Sequence, residues 1–328
     1  MVKLIGEKNY EKMMCGVVEP GLAAMREVVE VPVAGGTLHA EVYNRFDAKR
    51  ALVIVHGYTE CAEKYRELCW YFVNAGYSVF VYDQRGHGHS VREVEDLSVT
   101  HVDRFDQYVE DLIGVMETVV RPRMGDAPVF LFGHSMGGAV AARMLMEKPD
   151  WFTGAVLNAP MIKCVTGTLP FGAADLFVRL MCLLGKGKER AVVGKDFDAE
   201  REKFETSHST GRARFAYYQK KRVETPQYHN CSPTNQWLRE AIGVTRTLLN
   251  PEQAAKIKTP VLLVQAGLDS IVCLPEQEKF VSLVEGAKIL RLDEAKHEVF
   301  MGHDAVIEPY LQAILSFLDG EAAGNTLG

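Results

Sequence analysis

The chain has 328 residues, 47% of them hydrophobic and 24% charged, with a formal charge of −6 from 37 basic and 43 acidic side chains. This is the composition of a globular protein with room for a large core, and it excludes a disordered or collagen-like chain. The acidic balance disfavours non-specific binding to a phosphate backbone, so no nucleic-acid partner is expected. The cysteines (Cys15, Cys61, Cys69, Cys164, Cys182, Cys231 and Cys273) include no C-x-x-C pair. Neither a zinc site nor a thioredoxin-like motif is indicated, and reduced thiols in a cytoplasmic protein are the simplest reading. No apolar run of signal-peptide length opens the chain. The most apolar stretch, 169–185, carries Asp175 and Arg179 and is too short and too charged for a membrane span.

In chain order, 1–27 is a lead without a clear pattern. Residues 28–43 hold two short runs around Gly35-Gly36 and read as an antiparallel hairpin at a sheet edge. A continuous apolar run at 51–55 predicts a strand, and 62–75 a helix ended by Gly76. The alternation repeats with strands at 78–82, 128–132, 154–158, 260–264 and 287–292, and helices at 104–120 and 305–318. Apolar strands alternating with helices predict a mostly parallel α/β sheet covered on both faces. The rhythm breaks from 161 to 235, which reads as a helical cap inserted over the carboxyl ends of the strands. The core is then 28–160 together with 236–319, followed by a flexible tail at 320–328.

The sharpest motif is Gly133-His134-Ser135-Met136-Gly137, set between a strand and a helix. A turn tight enough to lift a serine hydroxyl above the sheet needs glycine on both sides, and it leaves the Met136 amide at a helix N-terminus facing developing negative charge. A serine nucleophile needs a base oriented by an acid, and here the chain order should be Ser, acid, His. Of the histidines after Ser135, His208 and His229 fall in the insertion. His297 lies in the loop after the last strand and is the expected base, with His303 as the fallback. Asp269, just past the 260–264 strand, is the expected acid, with Asp293 as competitor. The loop after the first apolar strand, His56-Gly57-Tyr58-Thr59-Glu60, should supply a second oxyanion donor from the Tyr58 amide. In Asp83-Gln84-Arg85-Gly86-His87-Gly88-His89-Ser90 the histidine pair lacks a third metal ligand, and no Lys-Ser/Thr follows to make a phosphate loop. The segment reads as a glycine-rich loop held by Asp83 and Arg85.

Five segments carry a family resemblance: HGYTE at 56–60, YDQRGHGHS at 82–90, GHSMGG at 133–138, LLVQAGLD at 262–269 and AKHEVF at 295–300. Together they resemble the α/β-hydrolase fold, and within it the monoacylglycerol lipase and bacterial lysophospholipase group. TSHSTGRARFAYYQ at 206–219 is similar to the cap segment of the bacterial lysophospholipases. The resemblance runs from about residue 28 to residue 319. It implies Ser135, Asp269 and His297 as the triad and Tyr58 and Met136 as oxyanion donors, in agreement with the reading of the residues. Tyr58 is bulkier than the small residue common at that place in monoacylglycerol lipases, and the lead before Val28 lies outside the shared core.

The expected function is a serine carboxylester hydrolase of monoacyl lipids, working without metal or organic cofactor on an amphiphilic ester. Phe171, Leu176, Phe177, Leu180, Met181, Leu183 and Leu184 are expected to line an apolar mouth for an acyl chain. Arg212, Arg214, Lys220, Lys221 and Arg222 form either a solvated helix face or a surface for phosphate headgroups and anionic membranes. Transient membrane contact is thus foreseen, and no protein partner is implied. The alternatives are an aminopeptidase or amidase of the prolyl-iminopeptidase kind, which needs an acidic anchor such as Glu202, Glu205 or Glu224, and a non-enzymatic binding protein on the same fold.

Overall fold

A computed structural model describes residues 3–324. The strands are β1 (Arg26–Val33), β2 (Gly36–Tyr43), β3 (Ala51–Val55), β4 (Ser78–Tyr82), β5 (Val99–Thr100), β6 (Val129–His134), β7 (Gly154–Asn158), β8 (Ser232–Pro233), β9 (Val261–Ala266) and β10 (Lys288–Leu292). Eight of them form one sheet in the order β1-β2-β4-β3-β6-β7-β9-β10. The β1–β2 hairpin is antiparallel and joins β4 antiparallel, whereas every pairing from β4 to β10 is parallel.

The reason lies in the side chains. β3, β4, β6, β7 and β9 are buried at every position, so apolar residues are needed on both faces. Two apolar layers result. One packs helices Asp106–Val115 and Met136–Glu147 through residues such as Leu112 and Leu145; the other packs Arg66–Asn74 and Asp304–Gly324 through Phe72 and Ile314. β10 departs from the expectation. It is an edge strand with Lys288, Ile289 and Arg291 exposed, so only one of its edges and one face are covered.

Three further differences concern the chain outside the sheet. The final helix continues past Leu318 to Gly324, so most of the expected tail is helical as far as it is described; 325–328 lies outside the described residues. The lead is not patternless. Short helical turns over Glu7–Ala23 bury Tyr10, Met14, Val18 and Leu22 in the second apolar layer. The 161–235 insertion contains helices Phe171–Leu183 and Arg212–Glu224, and also buries the short strand β8, which pairs with β5 in the long connection after β4.

Candidate active site

Ser135 stands between β6 and helix Met136–Glu147 with φ 53° and ψ −117°, a conformation an L-residue adopts only when its surroundings enforce it. They do so by close approach. A Cβ on Gly133 would sit 2.5 Å from the Gly137 carbonyl oxygen, and one on Gly137 would overlap the carbonyls of Val55 and His56. Glycine at both positions lets the helix start directly over the strand ends, and the Ser135 amide is fixed by the Asn158 carbonyl at 3.0 Å.

His297 follows β10 and is 6% exposed; Asp269 follows β9 with a fully buried carboxylate. The Ser135 hydroxyl lies 2.8 Å from His297 Nε2, and His297 Nδ1 lies 2.6 Å from Asp269 Oδ2. In the Nδ1–H tautomer the hydroxyl donates to Nε2 and Nδ1–H donates to the carboxylate. The other oxygen of Asp269 accepts the amides of Ile271 at 2.8 Å and Val272 at 3.2 Å. Burial works to raise the Asp269 pKa, but the His297 contact and these two amides outweigh it and hold the carboxyl below its usual range. The structure thus brings these three residues into one hydrogen-bonded line. A line of this kind can deprotonate an attacking hydroxyl and hold the resulting imidazolium.

The competing residues stand elsewhere. Asp293 is exposed and paired with Arg291 at 2.7 Å, because it points off the edge strand. His303 opens the final helix, with its carbonyl accepting the Val306 and Ile307 amides. His229 stacks on Phe197 with ring centroids 4.0 Å apart, and His208 lines the cleft without touching Ser135 in a hydrogen bond. Tyr58 also lines the cleft. The amides of Tyr58 and Met136 donate to no protein acceptor among the described residues. The loop at 83–90 is built as expected: Asp83 accepts the Ala62 and His89 amides, and Arg85 grips Asp111 with two hydrogen bonds at 2.6 and 2.7 Å.

The cleft over Ser135 has a volume of about 430 Å³, and its walls correct the expectation for the insertion. The apolar side chains of 171–184 are not among its lining. Most face outward instead, with Leu176 69%, Leu180 51% and Leu183 85% exposed, while Phe171 packs beside Val178. The physical reason is that helix Phe171–Leu183 seats its small face, Ala174 and Val178, on Ile242, and buries Asp175 by pairing it with Arg179 and Arg246. What lines the cleft from the insertion is polar: Arg201, Lys203, His208, Gln219 and Arg222, beside Phe215 and Tyr218.

The basic residues of helix Arg212–Glu224 divide: Arg212 and Lys220 lie on a solvated face, whereas Arg214 and Arg222 are buried, and all five are ion-paired rather than a free cationic patch. Arg214 is fully buried against Glu67, Arg222 pairs with Glu202, Lys221 with Glu19 and Glu63, and Arg212 and Lys220 with Glu205 and Glu11. Sequence reasoning also missed Lys64, His134 and Glu298, which line the cleft beside the already noticed Glu60. The spacing of Glu60 and Lys64 was a usable local signal; Glu298 is too distant in sequence to have joined them.

The family model described as serine aminopeptidase, S33 matches residues 47–304. The probable lysophospholipase L2 of Haemophilus influenzae is 28% identical over 272 residues, covering 83% of this chain and 84% of that protein. Lysophospholipase L2 of Escherichia coli strain K12 is 30% identical over 287 residues, covering 82% and 80%. Monoglyceride lipase of Mus musculus is 36% identical over 114 residues, 34% of this chain and 36% of that one. Among solved structures, a soluble variant of the monoglyceride lipase from Saccharomyces cerevisiae, in complex with a substrate analog, matches with a TM-score of 0.73. It covers 90% of this chain and 95% of that one at 17% identity, a likeness of fold. The chain belongs to the serine aminopeptidase, S33 family, has the α/β-hydrolase fold and is a serine hydrolase.

Proposed function

We propose that the protein hydrolyses the carboxylester of monoacyl lipids, monoacylglycerols or lysophospholipids, through an acyl-Ser135 intermediate. The observation that carries this is the hydrogen-bonded line Ser135–His297–Asp269 on the floor of the cleft. His297 Nε2 takes the hydroxyl proton as Ser135 Oγ bonds to the ester carbonyl carbon. The Tyr58 and Met136 amides hold the oxyanion, each such donor contributing about 2.7–4 kcal/mol to the transition state. His297 then gives its proton to the leaving alkoxide, the acyl-enzyme forms, and a water deprotonated by His297 releases the fatty acid. The lysophospholipase relatives, alike over most of both chains, support a monoacyl lipid as substrate.

The 161–235 insertion acts as a cap, in a role that differs from the one expected of it. Its exposed leucines offer a surface to lipid aggregates or a membrane, and Arg201, Lys203 and His208 give the cleft a polar wall suited to a headgroup. No helix among the described residues is long and apolar enough to cross a membrane. The aminopeptidase reading is supported by the description of the family and by Glu202, which lines the cleft; that carboxylate is engaged by Arg222 at 3.0 Å, which leaves it poorly placed to anchor a free amine.

The test is kcat/KM across monoacylglycerols, lysophospholipids and aminoacyl amides, below the critical micelle concentration. Efficiency is expected to rise with acyl length, by about 0.8 kcal/mol for each CH₂ that becomes buried, and the amides are expected to be poor. A flat chain-length profile or a preference for the amides overturns the lipid reading.

A further inference from the structure

Glu60, Lys64 and Glu298 form a charged bridge at the edge of the cleft. Lys64 Nζ donates to Glu60 Oε1 at 2.7 Å and to Glu298 Oε1 at 2.7 Å. The three side chains are 4%, 7% and 18% exposed, so water does little to screen them. The far oxygen of Glu60 accepts the Gly57 amide at 2.6 Å and the Tyr65 hydroxyl at 2.6 Å. Glu60 thereby fixes the backbone one residue before Tyr58. Glu298 follows His297 directly in the chain, and its amide donates to the His208 carbonyl at 2.9 Å. Lys64 is itself enclosed, with its ammonium 5.3 Å from the Tyr218 ring centre and 5.9 Å from that of Phe300.

We infer that Lys64 is a positioning residue for the hydrolytic reaction: by bridging Glu60 and Glu298 it sets the loop that carries the Tyr58 amide against the loop that carries His297. This rests on the assignment of Ser135, His297 and Tyr58 made above. One ammonium serves two buried carboxylates, and each carboxylate belongs to a different half of the machinery. Without the cation, Glu60 and Glu298 repel each other in a poorly screened space, and the cheapest relief is to move the loops apart. Burial works to lower the Lys64 pKa, but the two carboxylates overcome it and push it up to about 12, so the bridge keeps its charge across the working range. The geometry an oxyanion hole needs is narrow. A shift of about 1 Å between donor and base is expected to reduce turnover about 100-fold.

The experiment compares the parent with Lys64→Met, Lys64→Arg, Glu298→Gln and Ser135→Ala, on a short soluble p-nitrophenyl ester and on a monoacylglycerol. Folding is checked by near-ultraviolet circular dichroism. Lys64→Met should lower kcat about 100-fold on both substrates while KM stays within about threefold, and Lys64→Arg should restore kcat to within about tenfold of the parent. Glu298→Gln keeps the size and removes one charge, and should lower kcat about tenfold at unchanged KM. It carries the test if Lys64→Met does not fold. A folded Lys64→Met with kcat within about threefold of the parent overturns the inference. So does a loss confined to KM for the monoacylglycerol, which makes Lys64 a headgroup contact, and so does unchanged kcat in Glu298→Gln. If Ser135→Ala is inactive in the same series, those results count against Lys64 alone. If Ser135→Ala stays active, the serine assignment fails and this inference fails with it.

Discussion

The amide of Val165 donates to the carbonyl of Ile271 at 2.9 Å. Ile271 lines the cleft over Ser135, whereas Val165 is 46% exposed and leads toward helix Phe171–Leu183. The segment that leads into that helix is therefore tied to the wall of the cleft by backbone hydrogen bonds, the Cys273 amide donating to the Lys163 carbonyl at 2.9 Å as well. Burying a leucine in lipid is worth about 1.5–3 kcal/mol. Leu176→Glu and Leu183→Glu should each weaken binding to phosphatidylglycerol vesicles about tenfold or more, with matching loss of activity on aggregated long-chain monoacyl lipids. Turnover of a short soluble ester should not change. Vesicle co-sedimentation checks this, and unaltered binding in both variants removes the membrane role.

The histidine assignment separates two residues close in sequence. His297→Ala should lose turnover to the same extent as removal of the serine, because base and nucleophile act as one unit. His303→Ala, at the start of the final helix, should stay within about threefold of the parent. Asp269→Asn should fall by about 10⁴ in kcat, since the imidazole loses the partner that sets its tautomer. Steady-state rates on one soluble ester measure all three; an inactive His303→Ala with an active His297→Ala reverses the assignment.

Acid sensitivity is expected from His134. Burial holds this imidazole down to about 4, from an ordinary 6.5. The unfolded chain therefore takes up a proton below about 6.5 that the folded chain refuses until about 4. Its contribution to stability is present above 6.5 and is lost as the pH falls through that window, at up to about 1.4 kcal/mol per pH unit. Unfolding free energies from urea titrations at about pH 7 and about pH 5 should differ less in His134→Gln than in the parent. Equal differences contradict a neutral, buried His134.

Arg214 gives a stability prediction. Its guanidinium is fully buried and reaches Glu67 at 2.9 Å, Asp304 at 3.1 Å and the carbonyls of Ile5 and Gly302 at 2.7 and 3.0 Å. It joins the lead, the insertion and two core helices. Arg214→Met leaves the Glu67 carboxylate buried without its cation and should cost about 3–5 kcal/mol. Arg214→Met combined with Glu67→Leu should recover part of that loss, because the stranded charge is gone. Urea unfolding measures both; a double variant no better than the single shows that packing, not charge, is at stake.

The strands at 51–55, 78–82 and 154–158 were legible to the residue, because a strand buried on both faces must be apolar throughout and little else in the chain is. The Ser135 turn was legible because steric demands put glycine at fixed positions around it. The orientation of helix Phe171–Leu183 was not. It is apolar nearly all round, so hydrophobic pattern gives no preferred face, and the side that is buried was decided by small residues and by the Asp175 pairs. The lead hid for a related reason. Its buried face, Tyr10, Met14, Val18 and Leu22, recurs every four residues but is broken by Gly16, Pro20 and Gly21, and the lead is also held by Arg214, far along the chain. Lys64 and Glu298 are likewise partners only through the fold.

The most direct measurement is acid quench of the enzyme during turnover of a monoacylglycerol, followed by mass spectrometry of its peptides. The account predicts an added acyl group on the peptide that holds Ser135, no such adduct in Ser135→Ala, and a drop in kcat on the order of 10⁶ in that variant. Fatty-acid release by folded Ser135→Ala within about tenfold of the parent rate contradicts it.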